Sequence, residues 1–285
     1  MKIVRQSCRL LDWSGEDLYQ RCERAGRVSH KSEERIAPGT AEEFVRKMVK
    51  LGHESVFEFA RCSLVEFPHC SIKPPEVRTN VRRLRESAKK HGEDSIFRIL
   101  ARSVSRKYPL FFEDVNEKND FWDIEESVDW MKWTEEGRVE KNPSLDWLPV
   151  HIVTNRAISH QLVRYRKDVV FIQESQRYCK YKEDVIFIDP SDYFEEGSEA
   201  RAVWENHMAR CEDKYNQFLI LGYSAETARL VLPNSAKTEL IMYAKPSTWM
   251  HFFDQRCGNH ADKAMRTLAC MIRDEMKNAG VLHHG

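Results

Sequence analysis

Two stretches of the sequence concentrate arginine together with amides, hydroxyls and aromatic rings. They are Ser159-His160-Gln161-Leu162-Val163-Arg164-Tyr165-Arg166 and Gln173-Glu174-Ser175-Gln176-Arg177-Tyr178. The planar guanidinium group donates paired hydrogen bonds that match phosphate groups and the edges of planar heterocycles. Glutamine and serine add donors and acceptors that can recognise a base. An exposed amphipathic helix with incidental arginines has a similar composition, so spacing alone leaves both interpretations open.

Two more arginines adjoin strongly apolar stretches. Arg229 precedes Leu230-Val231-Leu232-Pro233, and Arg256 follows the predicted helical segment 249–255. An unpaired guanidinium group is costly to desolvate in such surroundings. Each therefore requires an anionic partner, which can be a carboxylate of the protein or a bound phosphate.

Helices and short strands must position these side chains. A capping box at Thr40-Ala41-Glu42-Glu43 predicts a helix start, and Gly52 predicts its end. Apolar periodicity predicts helices over 41–51, 157–166, 198–221, 246–256 and 261–278, and strands over 62–67, 148–154 and 240–244. Because helices outnumber strands and the strands are far apart, the predicted fold class is α+β.

The segment 76–147 differs in charge from the rest of the chain. Residues 78–107 contain ten basic and three acidic side chains, whereas residues 113–146 contain twelve acidic and four basic ones. The pattern predicts two solvated, largely helical parts that partly neutralise each other, although the basic half could instead cover an anionic ligand. The chemistry-bearing motifs lie on both sides, so the segment is predicted to be an insertion.

Composition excludes several classes of protein. The chain has 285 residues, 45 basic and 45 acidic, so a protein dedicated to nucleic acid or to a membrane surface is not expected. No apolar run reaches the roughly 18–20 residues that span a bilayer, and the N-terminus lacks a secretory pattern, which predicts a cytoplasmic location. The eight cysteines include no Cys-x-x-Cys pair, so we expect free thiols and no metal site.

Five blocks in order resemble the flavin-dependent thymidylate synthases (ThyX). Each block is weak alone, but their order and compatible spacings make the resemblance specific. The blocks are His53-x-Ser55-x-x-Glu58, Ser159-His160-Gln161-x-x-Arg164-x-Arg166, Gln173-Glu174-Ser175-x-Arg177-Tyr178, Ala228-Arg229-x-x-Leu232-Pro233 with Thr238-Glu239, and His251-Phe252 with Arg256 and His260-Ala261.

The resemblance implies an enzyme that reductively methylates dUMP to dTMP. Methylenetetrahydrofolate would supply the carbon and NADPH the electrons, through FAD. It also implies a ThyX-like fold, in which helices flank a central, mostly antiparallel sheet, and a single catalytic domain over 1–285 with the insertion at about 76–147. Members of the family are homotetramers with shared active sites, so a homotetramer is expected here.

Matching motif positions imply the roles of individual residues. Arg256 would polarise the uracil ring, and Ser175 occupies the position of a nucleophile proposed for the family. The residues implied around dUMP are Gln161, Arg164, Gln173, Glu174, Ser175, Gln176, Arg177, Arg229 and Arg256. Those implied to contact FAD are His53, Ser55, Arg164, Tyr165, Arg166, Gln173, Lys245, Pro246, Ser247 and His251.

The sequence departs from the family pattern mainly on the flavin side. Tyr165 replaces the histidine of Arg-His-Arg, while Lys245 and His251 stand where asparagines are usual. Eight residues separate Arg166 from Ser175 where the pattern has seven, which predicts one bulged residue in 167–172. The departures concern flavin affinity and the electron donor, whereas the arginines implied around the nucleotide are all present.

Two alternatives remain at this stage. A ThyX-like methylase or hydroxymethylase could act on a different pyrimidine nucleotide. A non-catalytic nucleotide-binding or nucleic-acid-binding protein could instead use the basic segment 78–107, although the neutral overall charge and the lack of a recognised nucleic-acid module count against it.

Overall fold

A computed structural model of the chain describes residues 1–66, 78–90, 95–115, 121, 132–135, 147–181 and 184–282. The strands are β1 (Lys2–Val4), β2 (Ser7–Leu10), β3 (Arg61–Glu66), β4 (Arg78–Asn80), β5 (Lys132–Glu135), β6 (Leu148–Asn155), β7 (Val169–Gln173), β8 (Ile186–Ile188) and β9 (Lys237–Ala244). The α-helices are α1 (Leu18–His30), α2 (Thr40–Leu51), α3 (Val81–Ala88), α4 (Ile96–Lys107), α5 (Arg156–Leu162), α6 (Glu199–Ile220), α7 (Ala225–Ala228), α8 (Pro246–Arg256) and α9 (Lys263–Asn278).

The chain divides into two compact units. The first unit contains Met1–Leu11, Val28–Lys31 and Leu148–Gly285, and the second contains Asp12–Arg27 and Ser32–Trp147. The predicted arginine-rich motifs all belong to the first unit, whereas the His53 block belongs to the second. The expectation of one catalytic domain over 1–285 stays a prediction.

The first unit is built on a four-stranded antiparallel sheet with the order β2–β6–β9–β7. Its central strand β9 is buried along almost its whole length, as its apolar run from Leu240 to Ala244 predicts. Asn155 at the end of β6 pairs with Lys237, and Gln173 at the end of β7 pairs with Leu240. The segments that follow β6 and β7 therefore emerge at the edge where β9 begins.

The opposite edge of this sheet lies where β9 ends. There Ala244 pairs with Val169, the first residue of β7, and with Leu148, the first residue of β6. At a rise of about 3.3 Å per residue, the length of β9 places the two edges roughly 20 Å apart. The sheet thus separates the residues directly after β6 and β7 from the residues directly before them, and α8, which follows β9, begins on the latter side.

Helices α5, α8 and α9 pack with this sheet in one core. Trp249 and Phe252 of α8 and Leu268 of α9 are fully buried with Val150 and Met242 of the sheet. The other fully buried side chains of this core are Ile152, Leu162, Leu240, Ala244, Met265, Ala269, Ile272 and Met276. Apolar burial of this kind is the main force that fixes the helices on the sheet.

A second core in the first unit lies under α6. Met208 and Tyr215 of α6 pack with Phe187 of β8, Ala236 and Tyr181. β8 itself pairs in parallel with β1 at the start of the chain. The apolar residues whose periodicity predicts α6 therefore form the buried face of this helix.

The second unit contains α2, α3, α4 and a three-stranded antiparallel sheet in the order β4–β3–β5. Phe44, Val45 and Met48 form the buried side of α2. The Arg85 guanidinium is fully buried and forms ion pairs of 2.9 Å with Glu54 and Asp114. This arginine is satisfied by the protein itself.

Two local predictions are wrong. The N-cap of α2 is Gly39, with φ 85° and no side-chain cap. The Thr40 hydroxyl instead donates to Glu23 Oε2 at 2.9 Å, so it does not form the predicted capping box. Helix α5 ends at Leu162 rather than near residue 166, because hydrogen bonds from the amides of Arg164 and Tyr165 to residues three positions earlier tighten its last turn.

The α+β class, the antiparallel sheet and the helices over 41–51, 198–221, 246–256 and 261–278 are confirmed within one or two residues at each end. The described parts of 76–147 include α3 and α4 but also β4 and β5, which the charge pattern does not predict. Phe67, the end of a predicted strand, lies outside the described residues. Among the described residues, no helix is both long and apolar enough to cross a bilayer.

Candidate functional site

Ten side chains of the first unit line a cavity of about 650 Å³. They come from the turn between α5 and β7 and from α8, and both segments adjoin the sheet edge where β9 ends. The lining residues are Arg164, Tyr165, Arg166, Lys167, Asp168, Ser247, Thr248, His251, Gln255 and Arg256. Volumes of roughly 300–1,000 Å³ are usual for small-molecule sites, so this cavity has the size of a ligand site.

Helix α8 turns a polar face to the cavity and an apolar face to the core. Thr248, His251 and Gln255 recur at i, i+3 and i+7, which places them on one side of the helix. Trp249 and Phe252 on the other side are fully buried. The cavity wall formed by α8 is therefore attached to the hydrophobic core of the unit.

Three guanidinium groups of the cavity have no carboxylate partner among the described residues. Within the part of the chain that the structure describes, no Asp or Glu oxygen lies within 4 Å of Arg164, Arg166 or Arg256. The carboxylate of Asp168 is itself paired with Lys245, with 3.1 Å between Oδ1 and Nζ. The cavity is therefore electropositive and is suited to an anionic ligand.

Tyr165 orients the Arg256 guanidinium. Arg256 Nε donates a hydrogen bond of 3.2 Å to the Tyr165 hydroxyl. The Tyr165 ring in turn makes edge contacts with His251 and Phe252, at centroid distances of 6.2 and 5.4 Å. Tyr165, which replaces the histidine of the Arg-His-Arg pattern, therefore fixes Arg256 through Nε. The terminal nitrogens of Arg256 stay available to a ligand.

Lys245 stabilises the turn that supplies half of the cavity. Besides the ion pair with Asp168, its backbone N–H donates to the Asp168 carbonyl at 3.2 Å. The Thr248 hydroxyl donates to the Lys167 carbonyl at 3.2 Å. Asp168 has φ 52°, a left-handed conformation, inside the range 167–172 where a bulged residue is predicted. Lys245 does not line the cavity, and its implied flavin contact stays a prediction.

The segment that follows β7 is held by hydrogen bonds at the edge where β9 begins. Gln173 Nε2 donates to Ser159 Oγ at 2.9 Å and to Thr238 Oγ1 at 3.0 Å. The Ser175 backbone N–H donates to the Ser29 carbonyl at 2.9 Å. The Gln173 amide thus bonds to the protein, and its N–H groups are directed at neighbouring hydroxyls.

Glu174 lies in a buried ionic network. Its Oε1 accepts a hydrogen bond of 2.7 Å from the Tyr181 hydroxyl, and its Oε2 one of 3.2 Å from Lys237 Nζ. Lys31 Nζ lies 3.7 Å from the same Oε2. Burial raises the pKa of Tyr181, and Glu174 raises it further, so the hydroxyl stays protonated and donates. Both carboxylate oxygens of Glu174 are therefore engaged within the protein.

Glu239 extends this network. Its Oε1 pairs with Lys237, and its Oε2 lies 3.0 Å from His151 Nε2. Burial alone would raise the pKa of Glu239, but the bond to His151 and the ammonium groups of Lys237 and Lys31 outweigh it and hold the pKa well below its usual range. Burial lowers the pKa of Lys237 despite its two carboxylate neighbours.

Arg177 and Arg229 do not line the cavity. Both are joined through Glu226: its Oε1 accepts from Arg177 Nε at 2.6 Å, and its carbonyl accepts from Arg229 Nε at 3.2 Å. Arg177 follows β7 and therefore lies on the side of the sheet where β9 begins. One chain thus brings Arg164, Arg166 and Arg256 together but places Arg177 and Arg229 in a different group.

The remaining predicted residues are distributed over both units. Gln161 is a half-buried residue of α5, and Gln176 is buried beside Tyr181. Pro246 begins α8, one residue before Ser247 in the cavity. His53 and Ser55 are exposed residues of the second unit. Their implied contacts with dUMP or FAD stay predictions.

Several residues around the site are absent from the sequence predictions. Thr248 and Gln255 could have been found, since they lie at helical spacing from His251. Lys167 and Asp168 immediately follow a predicted arginine. No local sequence pattern identifies Arg156, Lys31 or Lys237. Only long-range packing brings these basic residues to the ionic network and its surroundings.

Comparisons with known proteins agree with this geometry. Residues 148–279 match the model of the family Thy1, described as thymidylate synthase complementing protein. A flavin-dependent thymidylate synthase of Geobacter sulfurreducens is 37% identical over 115 residues, which are 40% of this chain and 49% of that protein. Enzymes of the same name from Mycobacterium tuberculosis and Mycolicibacterium vanbaalenii are each 30% identical over 128 residues, with 40% of this chain and 51% of theirs covered.

The chain spans about half the length of the curated relatives that it matches. The matched region contains the four-stranded sheet apart from β2, the whole cavity and the ionic network apart from Lys31. Over residues 148–279, this chain is therefore similar to the Thy1 family and to proteins named flavin-dependent thymidylate synthase.

Proposed function

We propose that this protein is a flavin-dependent thymidylate synthase that reductively methylates dUMP to dTMP. Methylenetetrahydrofolate is the carbon donor, and NADPH is the reductant through FAD. The observation that supports this most directly is the cavity inside the Thy1-matching region, which presents three guanidinium groups that lack a carboxylate partner in the described part of the chain. We further propose the ThyX-like fold and a cytoplasmic location.

The residues of the cavity fit FAD. Arg164 and Arg166 can bind its pyrophosphate through charge-assisted hydrogen bonds. Tyr165 and His251 offer ring surfaces, and Ser247 offers a hydroxyl at the start of α8. When bound, FAD supplies the redox chemistry, which no amino-acid side chain provides.

The uracil ring must be activated before its C5 carbon can react. Arg256 is placed to stabilise negative charge on the ring, because its guanidinium is fixed by Tyr165 and lacks a competing carboxylate among the described residues. We assign Ser175 to substrate binding: its Oγ accepts a hydrogen bond of 3.4 Å from the Arg177 amide, and the structure gives it no base that would make it a nucleophile in the described region.

The two arginine groups of one chain suggest how a complete site is formed. Strand β7, whose five residues span roughly 13 Å, separates the sheet end next to the cavity from the start of the segment that contains Arg177. We therefore propose a homotetramer in which one copy contributes the cavity and another contributes Arg177 and Arg229. Exposed apolar side chains close to Arg229 in the sequence, Ile220 at 84% and Leu230 at 79%, are suited to such a contact.

The proposed activity is tested by tritium release from C5-labelled dUMP. Purified protein with a flavin absorbance spectrum should release tritium only when NADPH and methylenetetrahydrofolate are both present, and should form dTMP. UMP serves as the matched substrate control and should react much more slowly. A protein without flavin absorbance, or one that releases no tritium after FAD is added, would contradict the proposal.

A further inference from the structure

One carboxylate lines the cavity proposed for FAD. Among the described residues of the cavity wall, only Asp168 is acidic, and it lies two positions after Arg166. Carboxylate and pyrophosphate oxygens compete for the same guanidinium donors, because both form charge-assisted hydrogen bonds with them. A carboxylate that paired with Arg164 or Arg166 would therefore weaken the binding of an anionic ligand.

The backbone explains why an aspartate occupies this position. Asp168 has φ 52°, a left-handed conformation that Asp and Asn adopt more readily than most other residues. The Asp168 carbonyl accepts a hydrogen bond of 3.2 Å from the Lys245 N–H and one of 3.4 Å from the Thr248 hydroxyl. These bonds attach the turn before β7 to the start of α8. Asp168 thus suits the backbone of the turn, whereas its charge opposes an anionic ligand.

Lys245 compensates the charge of Asp168. Lys245 Nζ lies 3.1 Å from Asp168 Oδ1, and the two side chains are only 23% and 32% exposed. In the described part of the chain, the Asp168 carboxylate pairs with Lys245, and no carboxylate oxygen lies within 4 Å of Arg164 or Arg166. Partial burial reduces screening by the solvent, so Lys245 competes effectively with the arginines for this carboxylate.

We propose that Lys245 is a positioning residue for flavin binding, which holds the Asp168 carboxylate away from Arg164 and Arg166. The inference rests on the proposed function. The two guanidinium groups then stay available to the pyrophosphate of FAD. Lys245 does not line the cavity, so it acts on the ligand through Asp168 rather than through the direct contact that its motif position implies.

The ammonium group of Lys245 can be removed without loss of the turn. The hydrogen bonds that attach Asp168 to α8 come from the Lys245 backbone N–H and from the Thr248 hydroxyl, and neither involves the Lys245 side chain. A variant without the ammonium group therefore keeps the turn and releases only the carboxylate.

The experiment measures the Kd for FAD, from the change in flavin fluorescence, in wild type, Lys245→Met, Asp168→Asn and the double variant. In Lys245→Met, the released carboxylate should compete with FAD for the arginines and raise the Kd about 5- to 20-fold. In the double variant, the competing carboxylate is absent, so the Kd should return to within twofold of wild type. Asp168→Asn alone should change the Kd less than threefold, because Lys245 already neutralises the carboxylate and Asn tolerates the same φ.

This pattern separates three roles of Lys245. A direct contact with FAD would be lost in both variants that carry Lys245→Met, so Asp168→Asn would not restore the affinity. A simple charge effect would make Asp168→Asn tighten binding by the same factor with and without Lys245. A structural role would lower the thermal midpoint of the ligand-free Lys245→Met protein, which should instead equal that of wild type.

Two further variants serve as controls. Lys245→Arg keeps the partner of Asp168 and should bind FAD with the wild-type Kd. Lys214→Met removes the exposed partner of Asp213 on α6 and should also leave the Kd unchanged. Inorganic pyrophosphate, titrated against the same proteins by calorimetry, is the second probe and should show the same order of affinities as FAD.

The assignment is overturned if Lys245→Met binds FAD with a Kd within twofold of wild type, or if the double variant binds as weakly as Lys245→Met. A wild-type protein that binds neither FAD nor pyrophosphate would also overturn it. If FAD and pyrophosphate give the expected order of affinities but wild type does not turn over dUMP, the role of Lys245 is supported while the proposed function fails.

Discussion

The arginines of this chain fall into two kinds at the scale of single residues. Arg85 is buried with two carboxylates and an acceptor carbonyl, as a structural arginine must be. Arg156 and Arg256 have no carboxylate within 4 Å among the described residues. Since a guanidinium group cannot lose its charge in a protein, such a residue is suited to an external anion. We therefore propose that Arg256 binds a ligand, in contrast to the structural Arg85.

Tyr165→Phe tests whether the tyrosine orients Arg256. The variant keeps the ring contacts with His251 and Phe252 but loses the acceptor for Arg256 Nε. One hydrogen bond of about 0.5–1.5 kcal/mol corresponds to about a 2- to 12-fold lower kcat for tritium release. We expect the Kd for dUMP to stay unchanged, and kinetic and equilibrium measurements on the same preparation separate these effects.

Tyr223→Phe is the control for this prediction, because Tyr223 is half exposed and does not line the cavity. An unchanged kcat in Tyr165→Phe would show that Arg256 is held by other contacts.

The buried network acts at the scale of secondary-structure elements. It joins β9 through Lys237 and Glu239, β6 through His151, and the segment after β7 through Glu174. Each carboxylate of the network has an ammonium group within 4 Å, which offsets the cost of burial. The position of the Ser175–Arg177 segment therefore depends on this ionic network.

Acid should weaken this network through Glu239. Its pKa is depressed in the folded protein and ordinary, about 4.3, in the unfolded chain. The stabilisation by its carboxylate is thus complete above about pH 5 and is lost as pH falls further toward the folded-state pKa. We expect urea midpoints to decrease from pH 5 to pH 3 in wild type, and less steeply in Glu239→Gln, which should also be less stable at pH 7.

The control is Glu196→Gln, at an exposed position in a turn, which should follow the wild-type pH dependence. If the urea midpoint of Glu239→Gln decreases with falling pH as steeply as that of wild type, other carboxyl groups cause the loss of stability in acid.

At the scale of the whole molecule, the proposed homotetramer combines the cavity of one copy with Arg177 and Arg229 of another. If subunits share active sites in this way, two inactive variants can complement each other. Co-expression of differently tagged Arg229→Ala and Arg256→Ala chains should then give mixed assemblies that regain tritium release, because an intact cavity of one copy meets an intact Arg229 of another.

Arg164→Ala mixed with Arg256→Ala is the matched control. Both residues line the same cavity, so no mixed assembly contains an intact cavity and activity should not return. Mixed assemblies of Arg229→Ala and Arg256→Ala that are verified by native mass spectrometry but stay inactive would exclude sharing.

The sequence by itself determined the α+β class and most of the elements around the site. The apolar periodicity of α8 and α9 and the apolar run of β9 are local signals, since the same side chains that repeat along the sequence are buried in the core. It also predicts the similarity to the flavin-dependent thymidylate synthases, because motif residues such as Gln161, Arg164 and Arg166 keep their order and spacing. Local signals failed at Thr40, whose hydroxyl bonds to the distant Glu23, and at the end of α5, where hydrogen bonds between residues three positions apart tighten the turn.

Only the tertiary structure decided which arginines share a site. The sequence predicts one group around one nucleotide, whereas the strand register places Arg177 and Arg229 apart from the cavity that contains Arg256. It also decided that both oxygens of Glu174 are engaged by Tyr181 and Lys237. Glu174 and Lys237 are 63 positions apart, and their pairing depends on the register of β9 with both neighbouring strands, which no short window of sequence contains.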